Sequence, residues 1–189
     1  MNHTILFALC GSFCTFEKVI PQIKKLVEQG NRVIPIMSYY ASKTDTRFGK
    51  AQDIKEEIEK ITGNKIIDTI EGAEPIGPKR MGEILVVAPC TGNTLAKLAN
   101  NIIDTPVTMA VKSHLRSNQP VVIGLSTNDG LTGSAANLGI LLNRRHYYFV
   151  PFSQDDHLRK PASLQADFEQ LPDTIESALR HKQIQPIVY

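Results

Sequence analysis

The chain has 189 residues, 42% of them hydrophobic. That is enough for one packed domain and too much for a disordered chain. Its 21 basic and 19 acidic residues leave a net charge of +2, which excludes the basic signature of nucleic-acid or membrane-surface binding. Three cysteines without paired spacing and five scattered histidines give no disulfide framework and no metal-ligand motif, so a reducing, cytosolic compartment is expected.

Thr4 to Leu9 is an apolar run of strand length, followed by Cys10, Gly11 and Ser12. The chain enters this strand directly, without the charged start and long apolar region of a signal peptide. No apolar run approaches the ~20 residues of a membrane span. A helix is expected from about Thr15 to Gln29, with Val19, Ile23, Leu26 and Val27 on one face and Gly30-Asn31 ending it. Pro21 should kink it or lie near its first turn. Arg32 to Met37 is a second strand, closed by Ser38. Only Gly11 stands where a dinucleotide fingerprint wants several glycines, so Gly11-Ser12 suits a mononucleotide phosphate better.

Ser42 to Arg47 reads as a loop. Ile54, Ile58 and Ile61 mark an amphipathic helix ending at Gly63, with the Lys and Glu run at 55–60 on its solvated face. Lys65 to Ile70 is expected to be a short strand. Glu71 to Pro78 reads as a loop from its Gly and Pro content. The apolar run Ile84 to Ala88 stops at Pro89, and a helical pattern of Leu95, Leu98, Ala99 and Ile102 follows. Between them Thr91, Asn93 and Thr94 offer hydroxyl and amide groups, and Gly92 would let the backbone approach a ligand. Free N–H groups at that helix start suit a phosphate, although the same residues also make an ordinary capped turn.

Thr105-Pro106 opens a helix with Val107, Ala110, Val111 and Leu115 inward. Pro120 to Leu125 is a buried strand ending in the polar turn Ser126-Thr127-Asn128-Asp129-Gly130. Ser134 to Asn143 is helical, with Leu138, Leu141 and Leu142 inward, and Tyr147 to Val150 is a further strand. Ser153 to Ser163 is polar and aperiodic, and a last helix spans about Asp173 to Lys182. The alternation predicts an α/β fold, a three-layer doubly wound parallel sheet in one domain over 1–189. A loop and C-terminal helix extend it at about 151–189. Ligands of such sheets bind outside the strands' carboxyl ends, where Gly11-Ser12, Ser38, Thr91 to Thr94 and Ser126 to Asn128 all fall.

Pro89-Cys90-Thr91-Gly92-Asn93-Thr94 resembles the Pro-Ala-Ser-Ala-Asn-Thr motif of the homo-oligomeric flavin-containing Cys decarboxylases. Lys97-Leu98-Ala99 and Asp104 continue the likeness, and Asn128 matches the Asn of a second, Pro-x-Met-Asn motif from which Ser126 and Thr127 depart. The resemblance implies a Rossmann-like flavoprotein fold and trimer-based homo-oligomers. It also implies FMN held by Gly11, Ser12, Ser38, Pro89, Thr91, Gly92, Asn93, Thr94, Ser126 and Thr127, with Asn93 and Asn128 at the catalytic places. The catalytic His of those decarboxylases falls here at Pro75, which carries no proton and puts decarboxylation in doubt.

A narrower likeness covers the whole chain. Ala73 to Lys79, Pro89 to Leu98, Ser126 to Gly130 and Tyr148 to Phe152 resemble the dipicolinate synthase B chain family of endospore-forming bacteria. It implies an oxidoreductase subunit acting with a dipicolinate synthase A chain. Together they make pyridine-2,6-dicarboxylate from a dihydrodipicolinate-type precursor in the cytoplasm of the sporulating mother cell. The two carboxylates of such a substrate call for cationic donors, for which Arg159 and Lys160, beside His157 in the aperiodic segment, are the candidates. The alternatives are a non-catalytic flavoprotein-fold partner and, disfavoured by Pro75, a flavin-dependent decarboxylase.

Overall fold

The computed structural model describes residues 2–189. Five parallel strands form its centre: β1 (Thr4–Leu9), β2 (Arg32–Met37), β3 (Ile84–Cys90), β4 (Val121–Thr127) and β5 (Tyr147–Phe149). Their spatial order is β2-β1-β3-β4-β5. These strands are near-continuous apolar runs because helices cover both faces; all seven residues of β3 are buried.

The covering helices are α1 (Phe16–Glu28), α2 (Tyr39–Lys43), α3 (Ala51–Thr62), α4 (Ile70–Ala73), α5 (Gly92–Ala99), α6 (Pro106–Leu115), α7 (Ala135–Leu142) and α8 (Leu171–Leu179). α1 runs through Pro21 and buries Phe16, Val19, Ile23 and Leu26. α3 ends at Gly63, whose φ of 66° is the left-handed cap that glycine takes without strain. α6 opens with a capping box between Thr105 and Thr108, with Pro106 in its first turn.

Several expectations need correction. The segment from Ser42 begins inside α2, because the Ser38 hydroxyl accepts the Ala41 N–H and starts a turn that buries Ala41 and Ser42. Residues 65–70 make no strand, only a single bridge from Ile67 to Ile36. Thr69 then caps α4 through the Gly72 N–H. The Gly- and Pro-containing stretch after it continues as a 3-10 turn, Glu74–Ile76, where Pro75 is tolerated near the start. A Cβ on Gly77 would lie 1.9 Å from the Ser113 carbonyl, so that glycine serves close packing on α6.

β3 does not stop at Pro89. It runs to Cys90 with a register shift against β4 between Val87 and Cys90, and a shifted register accommodates proline's missing N–H. Ile102 lies beyond α5 and is exposed, since Asn101 at φ 55° breaks the helix. Leu142 is likewise exposed, while Leu138 and Leu141 are buried.

The sheet is not wholly parallel. β6 (Phe152–Ser153) and β7 (Leu164–Ala166) form an antiparallel ribbon, and β7 pairs antiparallel with β4 at Ser126 and Thr127. That pairing keeps Ser126 and Thr127 in the strand rather than the turn. α8 starts at Leu171, earlier than expected, after a 3-10 turn capped by Asp167. It ends before Lys182, as His181 adopts φ 56°.

Candidate functional site

Two adjoining hollows open at the carboxyl ends of the parallel strands. The wide one, about 670 Å³, lies between Tyr39 and Tyr40 on α2 and the turn that opens α5. The small one, about 210 Å³, lies between Ser12, the end of β4 and the 155–165 segment. Gly11 and Thr91 line both.

Three helix caps wall the wide hollow. Ser38, Thr91 and Thr105 each stand just before a helix, and each side-chain oxygen accepts the N–H three residues on: Ala41 at 3.3 Å, Thr94 at 3.3 Å and Thr108 at 3.1 Å. A hydroxyl that accepts one N–H still has its own proton. Thr91 gives that proton to Thr94 Oγ1, whereas Ser38 keeps its proton available. The N–H groups of Gly92 and Asn93, at the first two positions of α5, have no intrahelical acceptor. Thr94 and Asn93 also line this hollow. At its rim Lys97 is neutralised by both carboxylate oxygens of Asp104, at 2.8 Å each.

Long-range contacts build the small hollow. The Ser12 and Ser126 hydroxyls meet at 2.9 Å, joining the ends of β1 and β4. Ser163 Oγ donates to the Thr127 carbonyl and pins the 154–163 segment over the strand end. Within that segment Lys160 Nζ pairs with Asp155 at 3.1 Å, and Gln154 bonds the Pro161 carbonyl. Burial raises the Asp155 carboxyl, but Ser163 and Lys160 together draw it below its ordinary value. Asp155 in turn raises the Lys160 ammonium through their hydrogen bond. Asn128 lines this hollow and Asn93 the wide one, and among the described residues neither amide is hydrogen-bonded to protein.

Three expected residues stand apart. Pro89 lies inside β3 and lines neither hollow, contributing its carbonyl to the Cys10 N–H at 3.2 Å. Arg159 also lines neither, and its N–H donates to Asp156. His157 is outside both as well, so of the basic group only Lys160 reaches a hollow.

Gly92 has a further reason to be glycine beside the one its sequence context suggests. A Cβ there would fall 2.6 Å from both Ser134 Oγ and Thr127 Oγ1 and 2.8 Å from Asp129 Oδ1. Thr127 and Ser134 donate to that Asp129 oxygen, which holds the carboxyl below its ordinary value. Position 92 thus faces a hydrogen-bonded cluster behind the turn. Sequence reasoning passed over Asp129 in this role, although a Thr-x-Asp pair in a polar turn is a common side-chain bonding pattern. It also passed over Tyr39 and Tyr40, and over Cys14, which lines the small hollow. Cys10 and Cys90 are buried; burial pushes the Cys10 thiol up to about 11 and raises Cys90 well above its ordinary value. Both stay protonated and unreactive at neutral pH. No helix among the described residues is long and apolar enough to cross a membrane.

Known proteins carry the same architecture. The Flavoprotein family matches residues 1–137. The dipicolinate synthase B chain of Bacillus subtilis is 47% identical over 182 residues, 96% of this chain and 91% of that protein. The crystal structure of the dipicolinate synthase B chain from Bacillus halodurans superimposes with a TM-score of 0.91 at 43% identity, covering 100% of this chain and 98% of the other. At the level of fold alone, Burkholderia xenovorans DmrB in complex with FMN, described as a cubic protein cage for redox transfer, matches with a TM-score of 0.69 at 16% identity. That match covers 95% of this chain and 97% of the other. A capped, doubly wound sheet with polar strand ends, matched over its full length by these B chains, has one assignment: the chain belongs to the Flavoprotein family and, within it, to the dipicolinate synthase B chain family.

Proposed function

We propose that this chain is the flavin-fold component of a two-component dipicolinate synthase, working with an A chain to oxidise a dihydrodipicolinate-type precursor to pyridine-2,6-dicarboxylate. The observation that carries the reading is the convergence of the Ser38, Thr91 and Thr105 turns on one wide hollow beside a smaller charged one. FMN fits the wide hollow. Its phosphate needs donors, and the Ser38 hydroxyl and Asn93 N–H would supply them in the wide hollow, with the Gly92 N–H at the join with the small one, without a competing unpaired carboxylate. Tyr39 and Tyr40 offer aromatic faces to a flat ring. The volume lies within the range of small-molecule sites. When bound, FMN supplies a hydride acceptor.

The chain's own residues then divide the remaining work. Aromatising the ring removes one hydride and one proton. Among the titratable groups lining the small hollow, Asp155 is the one ionised carboxylate at neutral pH, and it accepts the proton. Lys160 has three donors and spends one on Asp155, so it can hold a substrate carboxylate with another. The Asn93 and Asn128 amides orient the ring from the two hollows. Pro75 sits in its 3-10 turn and lines neither hollow, so it leaves no acid in the place of the decarboxylase His.

Titration with FMN, followed by quenching of flavin fluorescence, tests the cofactor. Saturable binding supports the reading. No binding at ~1 mM, about −4 kcal/mol on the affinity scale, removes flavin from it and favours a non-catalytic partner of the A chain. We further infer a trimer-based homo-oligomer, as in related flavoproteins. Light scattering that returned only a 20.9 kDa species at every concentration would count against it.

A further inference from the structure

At the opposite end of the sheet from the two hollows, before the first residue of β5, lies a separate depression of about 300 Å³. Four side chains line it: Arg145, His146, Tyr148 and His181. All can donate hydrogen bonds, and no carboxylate is among them. The two imidazoles stand edge to face with centroids 6.1 Å apart, and Tyr148 Oη approaches His181 Nδ1 at 3.4 Å.

Both histidines are held in the left-handed region, at φ 70° for His146 and 56° for His181. That conformation costs an ordinary side chain energy, and it persists only where the surroundings fix it. Here they do. The His146 carbonyl accepts the Val121 N–H at 2.8 Å, and the His181 N–H closes the end of α8 on the Ala178 carbonyl at 2.9 Å. Two strained turns thus bring two imidazoles and a guanidinium to one place.

We propose that this depression binds a small oxyanion, either a carboxylate or a tetrahedral oxyanion of the phosphate and sulfate type. Its lining brings a guanidinium, two imidazoles and a phenol together without a carboxylate among them. Arg144, the preceding residue, is committed elsewhere, to the Leu98 and Ala99 carbonyls at the end of α5. Arg180, the residue that follows α8, lies 3.8 Å from Glu176 on that helix and is paired with it. Burial lowers the pKa of His146, and Arg145 and His181 lower it further. An anion would oppose the last two effects, so binding should strengthen as pH falls and should raise the His146 pKa in return.

Histidine ring resonances, followed by NMR on the full chain, give the test. One arm titrates sulfate, whose two charges are constant between about pH 5.5 and 8, so any pH dependence belongs to the protein. The other arm titrates pyridine-2,6-dicarboxylate. The expected result is saturable movement of the His146 and His181 signals, stronger at low pH. Arg145→Ala should weaken it about tenfold or more. His146→Asn and His181→Asn should do the same while keeping the turns, because Asn tolerates the left-handed region. Saturation by sulfate alone identifies an inorganic oxyanion site, and tighter saturation by the dicarboxylate identifies an organic one. No saturable movement with either ligand up to ~10 mM, weaker than millimolar affinity, overturns the proposal. Equal movement in the wild type and the Arg145→Ala variant also overturns it.

Discussion

The two hollows at the strand ends are made in different ways. The wide one is assembled from short-range structure, since Ser38, Thr91 and Thr105 each cap the helix that follows them. The small one exists only after distant parts of the chain meet: Ser12 with Ser126, Ser163 with Thr127, and β7 with the end of β4. The first is neutral, with its one ion pair closed on itself, and the second carries Asp155, Lys160 and Cys14. Local capping therefore provides a rigid, uncharged receptacle of the kind a cofactor needs. Long-range closure brings the titratable groups that proton transfer and carboxylate binding need.

One substitution should break both hollows at once. Gly92→Val puts methyl groups into the Thr127, Asp129 and Ser134 cluster and should cost about 3 kcal/mol or more. In thermal denaturation that is a fall of about 6–12 °C for a chain of this size. Gly11→Ala is the control. Its Cβ meets Tyr40 at 3.4 Å, an ordinary contact, and the melting temperature should hardly change.

Acid should separate the two regions. His114 on α6, the helix capped by Thr105, is buried, and burial lowers its pKa to about 4 from an ordinary 6.5. Its neutral Nε2–H donates to the Pro120 carbonyl. The folded state resists protonation there while the unfolded state accepts it. Stability is therefore full above pH 6.5 and falls by about 3 kcal/mol on the way to pH 4. Asp155 and Asp129 are shifted the other way relative to their charge state. They are held ionised below an ordinary 3.8, so their contribution is lost only below that pH. Denaturant titrations across pH should show the first loss beginning near 6.5 and vanishing in His114→Gln. A flat profile down to pH 4 would contradict this account of α6.

Lys160→Ala should discriminate more gently. With the A chain present, efficiency toward the precursor should drop by about 1.5–3 kcal/mol, ten- to more than hundred-fold, while FMN affinity stays unchanged. Arg159→Ala, outside both hollows, should do neither. The smallest effect is expected from Ser38→Ala. Losing the cap costs about 1 kcal/mol of stability. It should weaken FMN binding and leave the Lys160-dependent step intact.

What the sequence revealed follows the same division. The bounds of β1 and β2, the Thr105-Pro106 start and the Gly63 stop were legible because each rests on a short pattern of residues. The Thr91 and Thr105 caps that wall the wide hollow were legible for that reason too, whereas Tyr39 and Tyr40 beside them were not. α2 was missed because its five residues leave no room for a helical period to show. β7 was missed because Leu164-Gln165-Ala166 gains its strand character only from pairing with β4 and β6. Lys160 and Arg159 look equivalent in sequence. Only the turn held by Asp155, Asp156 and Ser163 places one inside the small hollow and the other outside it.

The crowding behind Gly92 has a consequence for how this chain can vary. Under selection for activity, position 92 would score as intolerant because its missing side chain would enter the Thr127, Asp129 and Ser134 cluster. The constraint belongs to a group of positions. A methyl at 92 becomes admissible only when the neighbours at 127 and 134 have first been trimmed, and Asp129, losing both donors, must then be replaced as well. Each of these changes alone leaves a clash or an unpaired group, so the four positions should be inherited together and exchanged, if at all, as a set.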